Sequence, residues 1–181
     1  MVIDLVTQTV QSILLEDADV VSRLAASRKR FEGWLQIEVF KRFLRRFPEF
    51  EAMPERAYGS GGLDRCDLWC REPSGKESWV ELKTSVTNYE QKYGSATPRP
   101  ITNQISEVLR DMERLARLPI EANRHLFLLV YPMPATEILP PQWSSHLDRL
   151  REGGRNVAQV LTAPVCVNVR KACVVGYNIA I

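Results

Sequence analysis

Apolar residues recur at helical spacing in five segments of the chain. The first two segments cover residues 1–15 and 20–30, and the third covers 31–47 and ends before Pro48. Apolar side chains occupy so much of the circumference of the third segment that it predicts a largely buried helix. The same spacing predicts two further helices, over 101–118 and about 143–151.

Shorter segments between and after these helices have the patterns of β-strands. Turn residues separate the segments 55–59, 63–70 and 78–84, and the last two alternate between apolar and polar side chains. Residues 125–131 are almost continuously apolar, which is typical of a strand buried on both faces, and Pro132 and Pro134 are expected to close it. Residues 165–170 and 173–179 predict a terminal hairpin.

The order of these elements predicts an α/β fold, in which a central mixed β-sheet is flanked by helices. The 181 residues are enough for one domain, with a helical N-terminal extension (1–30) and an α/β core (31–181). We expect the strands at 55–59, 63–70, 78–84 and 125–131 to form the core sheet. The extension is suited to cover a sheet face, to contact nucleic acid or to form a dimer, and the sequence leaves these alternatives open.

Composition argues against several classes of protein. Hydrophobic residues make up 45% of the chain and charged residues 25%, and no apolar run approaches the roughly 20 residues of a membrane span. The first residues lack the pattern of a secretory signal, so we expect a cytoplasmic protein with no membrane partner. The four cysteines show no paired CxxC spacing, and His125 and His146 have no ligand-spaced neighbours, which argues against a zinc site.

Basic residues are concentrated in residues 23–46. Eight basic and two acidic residues give this segment a net charge of +6, although the whole chain carries only +2. Such a segment is expected of a protein that binds phosphate backbones, and solvated helix faces are the alternative. The polar segment 86–100 offers stacking and phosphate contacts, or is an uninvolved loop. The candidate nucleic-acid contacts are Arg28, Lys29, Arg30, Lys41, Arg42, Lys92 and Arg99.

Two carboxylates and a lysine come together on the predicted strand pair 63–70 and 78–84. A tight turn at 72–76 joins the strands, so Asp67 on the first can share a face with Glu81 and Lys83 on the second. Carboxylate oxygens suit Mg²⁺, and the lysine would orient a water or stabilise developing negative charge. The alternative is a solvated hairpin face with a cross-strand Glu–Lys pair.

A second aspartate competes with Asp67 for this role. Asp64 is out of step with Asp67 by one face, so a regular strand cannot present both side chains together. We prefer Asp67, because the alternation then keeps Cys66, Leu68 and Cys70 together on the core side.

The predicted helix over 31–47 carries a carboxylate at Glu38, on the same side as Trp34 and Leu35. A charged group beside apolar residues usually has a partner. One interpretation is an ion pair with Arg42, four residues further on. The other is that Glu38 faces the site on the strand pair and orients an attacking water.

Asp67, followed by Glu81-Leu82-Lys83 and preceded by a helix that carries Glu38, resembles the PD-(D/E)xK nuclease superfamily, the restriction-endonuclease-like fold. The resemblance covers about residues 31–131. One departure is that no proline directly precedes Asp67.

The resemblance implies a Mg²⁺-dependent (or Mn²⁺-dependent) nuclease that hydrolyses phosphodiester bonds, with DNA as its expected substrate, in a defence, restriction, repair or mobile-element system. It implies that Asp67, Glu81, the Leu82 carbonyl and Glu38 hold the metal and that Lys83 activates the attacking water. Gln104 is similar to a glutamine that several branches of the superfamily carry in the following helix. The expected catalytic residues are therefore Glu38, Asp67, Glu81, Lys83 and Gln104.

The same fold also allows a function without catalysis. The chain would then be an inert member of this fold that binds nucleic acid or a protein partner. A homodimer or a subunit of a larger complex fits either function.

Overall fold

The computed structural model describes residues 2–27, 30–58, 65–87, 101–118, 121–135, 141–167 and 170–181. The helices within this part of the chain are α1 (Val2–Glu16), α2 (Ala18–Ala26), α3 (Glu32–Arg46), α4 (Ile101–Ala116) and α5 (Pro141–Arg151). The strands are β1 (Glu51–Ala57), β2 (Arg65–Arg71), β3 (Glu77–Val86), β4 (Asn123–Pro134), β5 (Asn156–Val167) and β6 (Arg170–Ala180).

These strands form one mixed sheet in the order β1-β2-β3-β4-β6-β5. β3 and β4 are parallel, and each other neighbouring pair is antiparallel. The chain between β3 and β4 contains α4, as expected for parallel neighbours, which need a long crossover connection. The predicted α/β class, with a mixed sheet flanked by helices and an N-terminal helical segment, is confirmed.

The sheet contributes to two apolar cores. In the first core, α1, α2 and α3 pack with the strand residues Leu68, Val80 and Leu82. In the second core, α4 and α5 pack with Trp69 and Trp79. The N-terminal extension therefore covers a face of the sheet, which was one of the three alternatives. No helix among the described residues is both long and apolar enough to cross a lipid bilayer.

α3 is less buried than its apolar content predicts. Leu35, Val39 and Phe43 form one fully buried stripe, whereas the side chain of Ile37 is 63% exposed. The expectation of a largely buried helix is wrong, because α3 packs on one face of the sheet and its outer face has no covering element among the described residues. Residues on one side of the buried stripe of α3 can therefore have different neighbours from residues on its other side.

The sheet is also larger than predicted. β4 continues past Pro132 to Pro134, because the β4–β6 register shifts between Val130 and Met133 and the proline falls in that irregular stretch. The terminal hairpin is longer than expected and pairs with β4 through β6. Among the described residues the sheet thus has six strands, where we expected a core of four.

Candidate functional site

The candidate site lies where β2 and β3 separate. Their regular pairing ends at Leu68 and Val80, although both strands continue. Backbone N–H groups lie in the plane of a sheet, so the next groups of β3 on this edge need other acceptors. The N–H of Leu82 donates to Oδ2 of Asp67 at 2.7 Å, and the N–H of Thr84 donates to Oε2 of Glu32 at 3.1 Å. Two carboxylates therefore take the place of the missing strand.

Asp67 reaches this position because β2 is irregular around it. Cys66 packs in the second core and Leu68 in the first, so the strict alternation expected for this strand is wrong. The facing residue of β1, Glu55, lies between two regular pairs and has a φ of 50°. Asp67 projects into the gap between β2 and β3, where Nε2 of Gln36 donates to its Oδ1 at 2.7 Å.

Burial and the nearby negative charge of Glu81 raise the pKa of Asp67 to about 7. The Lys83 ammonium and the Leu82 N–H act in the opposite direction and favour the carboxylate. A carboxyl group that changes its charge near neutral pH is unusual. It is typical of sites where negative charge is crowded for a functional reason, although structural ion networks produce the same effect.

Glu81 is the more deeply buried of the two carboxylates, with 3% of its surface exposed. The hydroxyl of Tyr58 donates to its Oε2 at 2.8 Å, and Nζ of Lys83 lies 3.0 Å from its Oε1. Burial raises the pKa of Glu81, and Lys83 and Tyr58 partly oppose this effect. Burial and the adjacent Glu81 charge also raise the pKa of Tyr58, which remains a hydrogen-bond donor.

Lys83 is the cation around which the acidic groups gather. Its ammonium lies 3.0 Å from Glu81, 3.2 Å from Glu32 and 3.3 Å from Asp111. Burial alone would lower the pKa of Lys83, but the surrounding carboxylates raise it above its usual range. The lysine is therefore charged throughout the physiological pH range.

The cluster carries more negative than positive charge when all its groups are ionised. Four carboxylates (Glu32, Asp67, Glu81 and Asp111) face Lys83 and Arg114, whose guanidinium lies 3.1 Å from Asp111. A divalent cation beside Asp67 and Glu81 would balance this excess, and hard carboxylate oxygens match Mg²⁺. The described residues contain no group of three or more His, Cys, Asp or Glu side chains arranged to hold a metal ion. Two protein carboxylates, with water and substrate oxygens as further ligands, are nevertheless the usual environment of Mg²⁺.

The structure places Glu38 away from this cluster, which corrects the expectation that it faces the site and holds the metal. Glu38 lies about 200° around α3 from Gln36, on the other flank of the buried stripe. Its carboxylate contacts Lys41 at 2.8 Å and Arg42 at 3.6 Å, as the ion-pair interpretation predicts. The side chains that α3 contributes to the site are Glu32 and Gln36.

Gln104 has a structural contact in place of the expected catalytic one. It is buried, its Oε1 accepts from the N–H of Val86 at 2.9 Å, and its Nε2 donates to the carbonyl of Val86 at 3.0 Å. The amide thereby pairs with the end of β3 as another strand would. Gln104 anchors the strand that carries Glu81 and Lys83 and makes no described contact with either.

The predicted nucleic-acid contacts are only partly described. Arg42 contacts Glu16 and, at 2.7 Å, Asp17, while Arg30 lies 2.7 Å from Glu107. Because acidic partners offset much of their charge, the net charge of the segment 23–46 overstates the charge available for phosphate. The candidates Arg28, Lys29, Lys92 and Arg99, and the rival ligand Asp64, lie outside the described residues.

Sequence reasoning missed four residues of the site: Glu32, Gln36, Tyr58 and Asp111. Asp111 gave a usable signal, because it lies within the apolar stripe of α4 next to Met112 and is buried. A buried carboxylate in such a stripe needs a cation, and Asp111 has two, Lys83 and Arg114. Glu32 and Gln36 are spaced to share a helix flank, but their spacing alone does not indicate which flank faces the sheet.

Comparisons with known proteins identify no relative: no family model, no curated protein and no solved structure matches the chain.

Proposed function

We propose that the protein is a metal-dependent nuclease that hydrolyses phosphodiester bonds, with DNA as its first candidate substrate. The observation that carries the proposal is the meeting of Asp67, Glu81 and Lys83 at the opening between β2 and β3. The resemblance of Asp67 and Glu81-Leu82-Lys83 to the PD-(D/E)xK motif agrees with this geometry.

Asp67 and Glu81 are the residues that would hold Mg²⁺ or Mn²⁺, together with the Leu82 carbonyl. The metal would supply the charge that lets a water attack phosphorus and that neutralises the phosphoryl oxygens. The N–H of Leu82 and the amide of Gln36 hold Asp67 in place, and Tyr58 holds Glu81. The two carboxylates are thus fixed from different elements before any ligand arrives, which keeps the cost of reorganisation small.

Lys83 supplies the positive charge that a phosphoryl transition state requires. Its ammonium has three acidic neighbours, so it is held in position and remains protonated. Such a group stabilises negative charge as it develops on phosphate oxygens and orients the attacking water by hydrogen bonding. Glu32 contacts Lys83 and the backbone of Thr84, and therefore sets the position of the lysine.

A cleavage assay on supercoiled plasmid and on single-stranded DNA, with and without Mg²⁺, tests the proposal. Wild type should cut in a Mg²⁺-dependent manner, while Asp67→Ala and Lys83→Ala should not. Glu38→Gln is the matched control, because Glu38 is an acidic residue outside the cluster, and it should cut like wild type. Equal cleavage by all four proteins would remove the assignment.

A specific observation also supports an inert binding module as the second candidate. Each carboxylate oxygen of Asp67 and Glu81 already has a protein partner, and Lys83 is shared among three carboxylates. Such a closed network can serve stability alone. In that case, divalent metal would change neither the melting temperature nor any cleavage rate.

The cytoplasm remains the proposed location. The four cysteines are free, and two of them, Cys66 and Cys70, are buried in β2. Free thiols are typical of a reducing compartment.

A further inference from the structure

A pocket of about 540 Å³ opens beside the candidate site, and Tyr58 forms part of its wall. The pocket has no role in the proposed hydrolysis. Its size lies within the range of sites that hold small ligands or single groups of larger ones. The residues that give it chemical character are Arg56, Tyr58, Lys76, Glu77, Trp79 and Glu121.

One side of the pocket is an aromatic platform. The rings of Tyr58 and Trp79 stack with their centroids 5.7 Å apart. The guanidinium of Arg56 lies 3.6 Å from the ring centre of Trp69 and 5.6 Å from that of Trp79. These contacts hold the tyrosine ring and the guanidinium rigidly, so a planar ligand would find a fixed surface.

The charged groups around the pocket are balanced. Arg56 and Lys76 face Glu77 and Glu121, so donors and acceptors are both present. The balanced lining offers no net positive charge to attract an isolated phosphate, and an acyl chain would leave four charged groups without water. A planar heterocycle with donors and acceptors along its edge matches this lining.

Tyr58 connects the pocket directly to the candidate site. Its ring lines the pocket, and its hydroxyl donates to Oε2 of Glu81 at 2.8 Å. The pocket and the carboxylate are therefore separated by one tyrosine side chain. A nucleotide has the same arrangement, because a planar base is joined through a sugar to the phosphate.

We propose that this pocket binds a nucleobase of the substrate strand and so places the adjoining phosphodiester at Glu81 and Lys83. The inference rests on the proposed function for the identity of the ligand. A base that enters the pocket must leave its stack, so the preferred substrate is a strand with unpaired bases. Stacking on aromatic side chains recognises any base, and the pocket therefore gives a preference for structure more than for sequence.

Binding without metal tests this inference separately from cleavage. The probe is a fluorescein-labelled single-stranded DNA of about 12 nucleotides, measured by fluorescence anisotropy in EDTA. Its matched control is a strand of equal length and charge that carries abasic sites in place of the bases. We expect wild type to bind the normal strand about tenfold more tightly than the abasic strand.

Three variants locate this preference in the pocket. Tyr58→Ala removes the ring and Ala122→Phe fills the cavity, so both should bind the two strands equally. Tyr58→Phe keeps the ring and should keep the preference, although it loses the hydroxyl bond to Glu81. Cys166→Ser, an exposed change on the edge strand β5, is the control. Circular dichroism identifies any variant that fails to fold. If either Tyr58→Ala or Ala122→Phe does not fold, the other one shows whether the preference for the normal strand is lost.

The inference is overturned if wild type binds both strands equally, or if the preference survives in folded Tyr58→Ala or Ala122→Phe. The outcome is independent of the proposed function. Mg²⁺-dependent cleavage without a base preference would reject the pocket and keep the nuclease. A base preference without cleavage would keep the pocket and reject the nuclease.

Discussion

The carboxylate of Asp67 accepts a hydrogen bond of 2.7 Å from the backbone N–H of Leu82, in the place where a neighbouring strand would normally provide the acceptor. This contact fixes the carboxylate in the opening between β2 and β3, next to Glu81 and Lys83. The crowding of Asp67 and Glu81 makes the charge of the site dependent on pH. It also makes the site costly for the stability of the fold in the absence of a cation.

Asp67→Asn should therefore stabilise the protein while abolishing cleavage. The pKa of Asp67 is about 7 when folded and 3.8 in its reference state, so the folded protein holds the proton more tightly. Wild-type stability then falls as pH rises between these two values, because the unfolded chain ionises first. The asparagine does not ionise, so the variant does not lose this stability. Above pH 7 its free energy of unfolding should exceed that of wild type by at most about 4 kcal/mol. Melting curves in EDTA across this pH range measure the difference in stability. A variant less stable than wild type at high pH would contradict the conclusion that Asp67 and Glu81 repel each other in the folded protein.

Lys83→Met should destabilise the fold, because it leaves Glu32, Glu81 and Asp111 facing one another without their shared cation. Removing one partner of a buried ion pair costs about 3–5 kcal/mol, and the partial exposure of Lys83 favours the lower end. Lys83→Arg retains the charge and should lose less stability. Urea denaturation compares the stabilities of the three proteins. A Lys83→Met variant as stable as wild type would show that the ion pairs of Lys83 do not stabilise the fold.

The two glutamates of α3 should respond differently to the same substitution. Glu32→Gln keeps an acceptor for the Thr84 N–H but removes the charge beside Lys83, so cleavage should fall at least about tenfold. Glu38→Gln removes a partly exposed ion pair, costs a few tenths of a kcal/mol and should leave cleavage within about twofold. Initial rates at saturating Mg²⁺ give the comparison. The reverse order of effects would restore Glu38 to the site.

Gln104→Leu should affect stability more than catalysis. Without the amide, the N–H and carbonyl of Val86 lose buried partners, which should cost about 2–3 kcal/mol. The cleavage rate of the folded fraction should change only a few-fold, because the described contacts of Gln104 are with Val86 and not with Glu81 or Lys83. Asn103→Ala, on the exposed side of the same helix, is the control for denaturation. A fall in rate of a hundredfold at unchanged stability would instead support a catalytic Gln104.

Regular alternation made part of the site predictable from the sequence. β3 is a regular strand, so Val80 and Leu82 enter one core while Glu81 and Lys83 lie on the other side, as expected. The same rule fails in β2, where the irregularity at Asp67 sends Cys66 into the second core. Single-residue irregularities leave little trace in a hydrophobic pattern, because they change where a side chain points without changing its type.

The hydrophobic pattern could not predict which residues the helices and the distant segments of the chain contribute to the site. Glu32 and Glu38 lie on opposite flanks of the buried stripe of α3, and only the packing of α3 against α1 and the sheet decides which flank faces Lys83. Tyr58 and Asp111 come from distant segments and meet Glu81 and Lys83 through the sheet topology. The sequence thus predicted that Glu81 and Lys83 share a face of β3, whereas the residues around them could be identified only from the fold.

Calorimetric titration with Mn²⁺ tests most directly whether Asp67 and Glu81 jointly hold a divalent cation. It is made on wild type, Asp67→Asn, Glu81→Gln and the control Glu38→Gln, above and below the Asp67 pKa of about 7. Wild type and Glu38→Gln should bind one ion, more tightly at the higher pH and with proton release, whereas the other two variants should lose this binding. Absence of binding to wild type, or equal binding by all four proteins, would contradict the account.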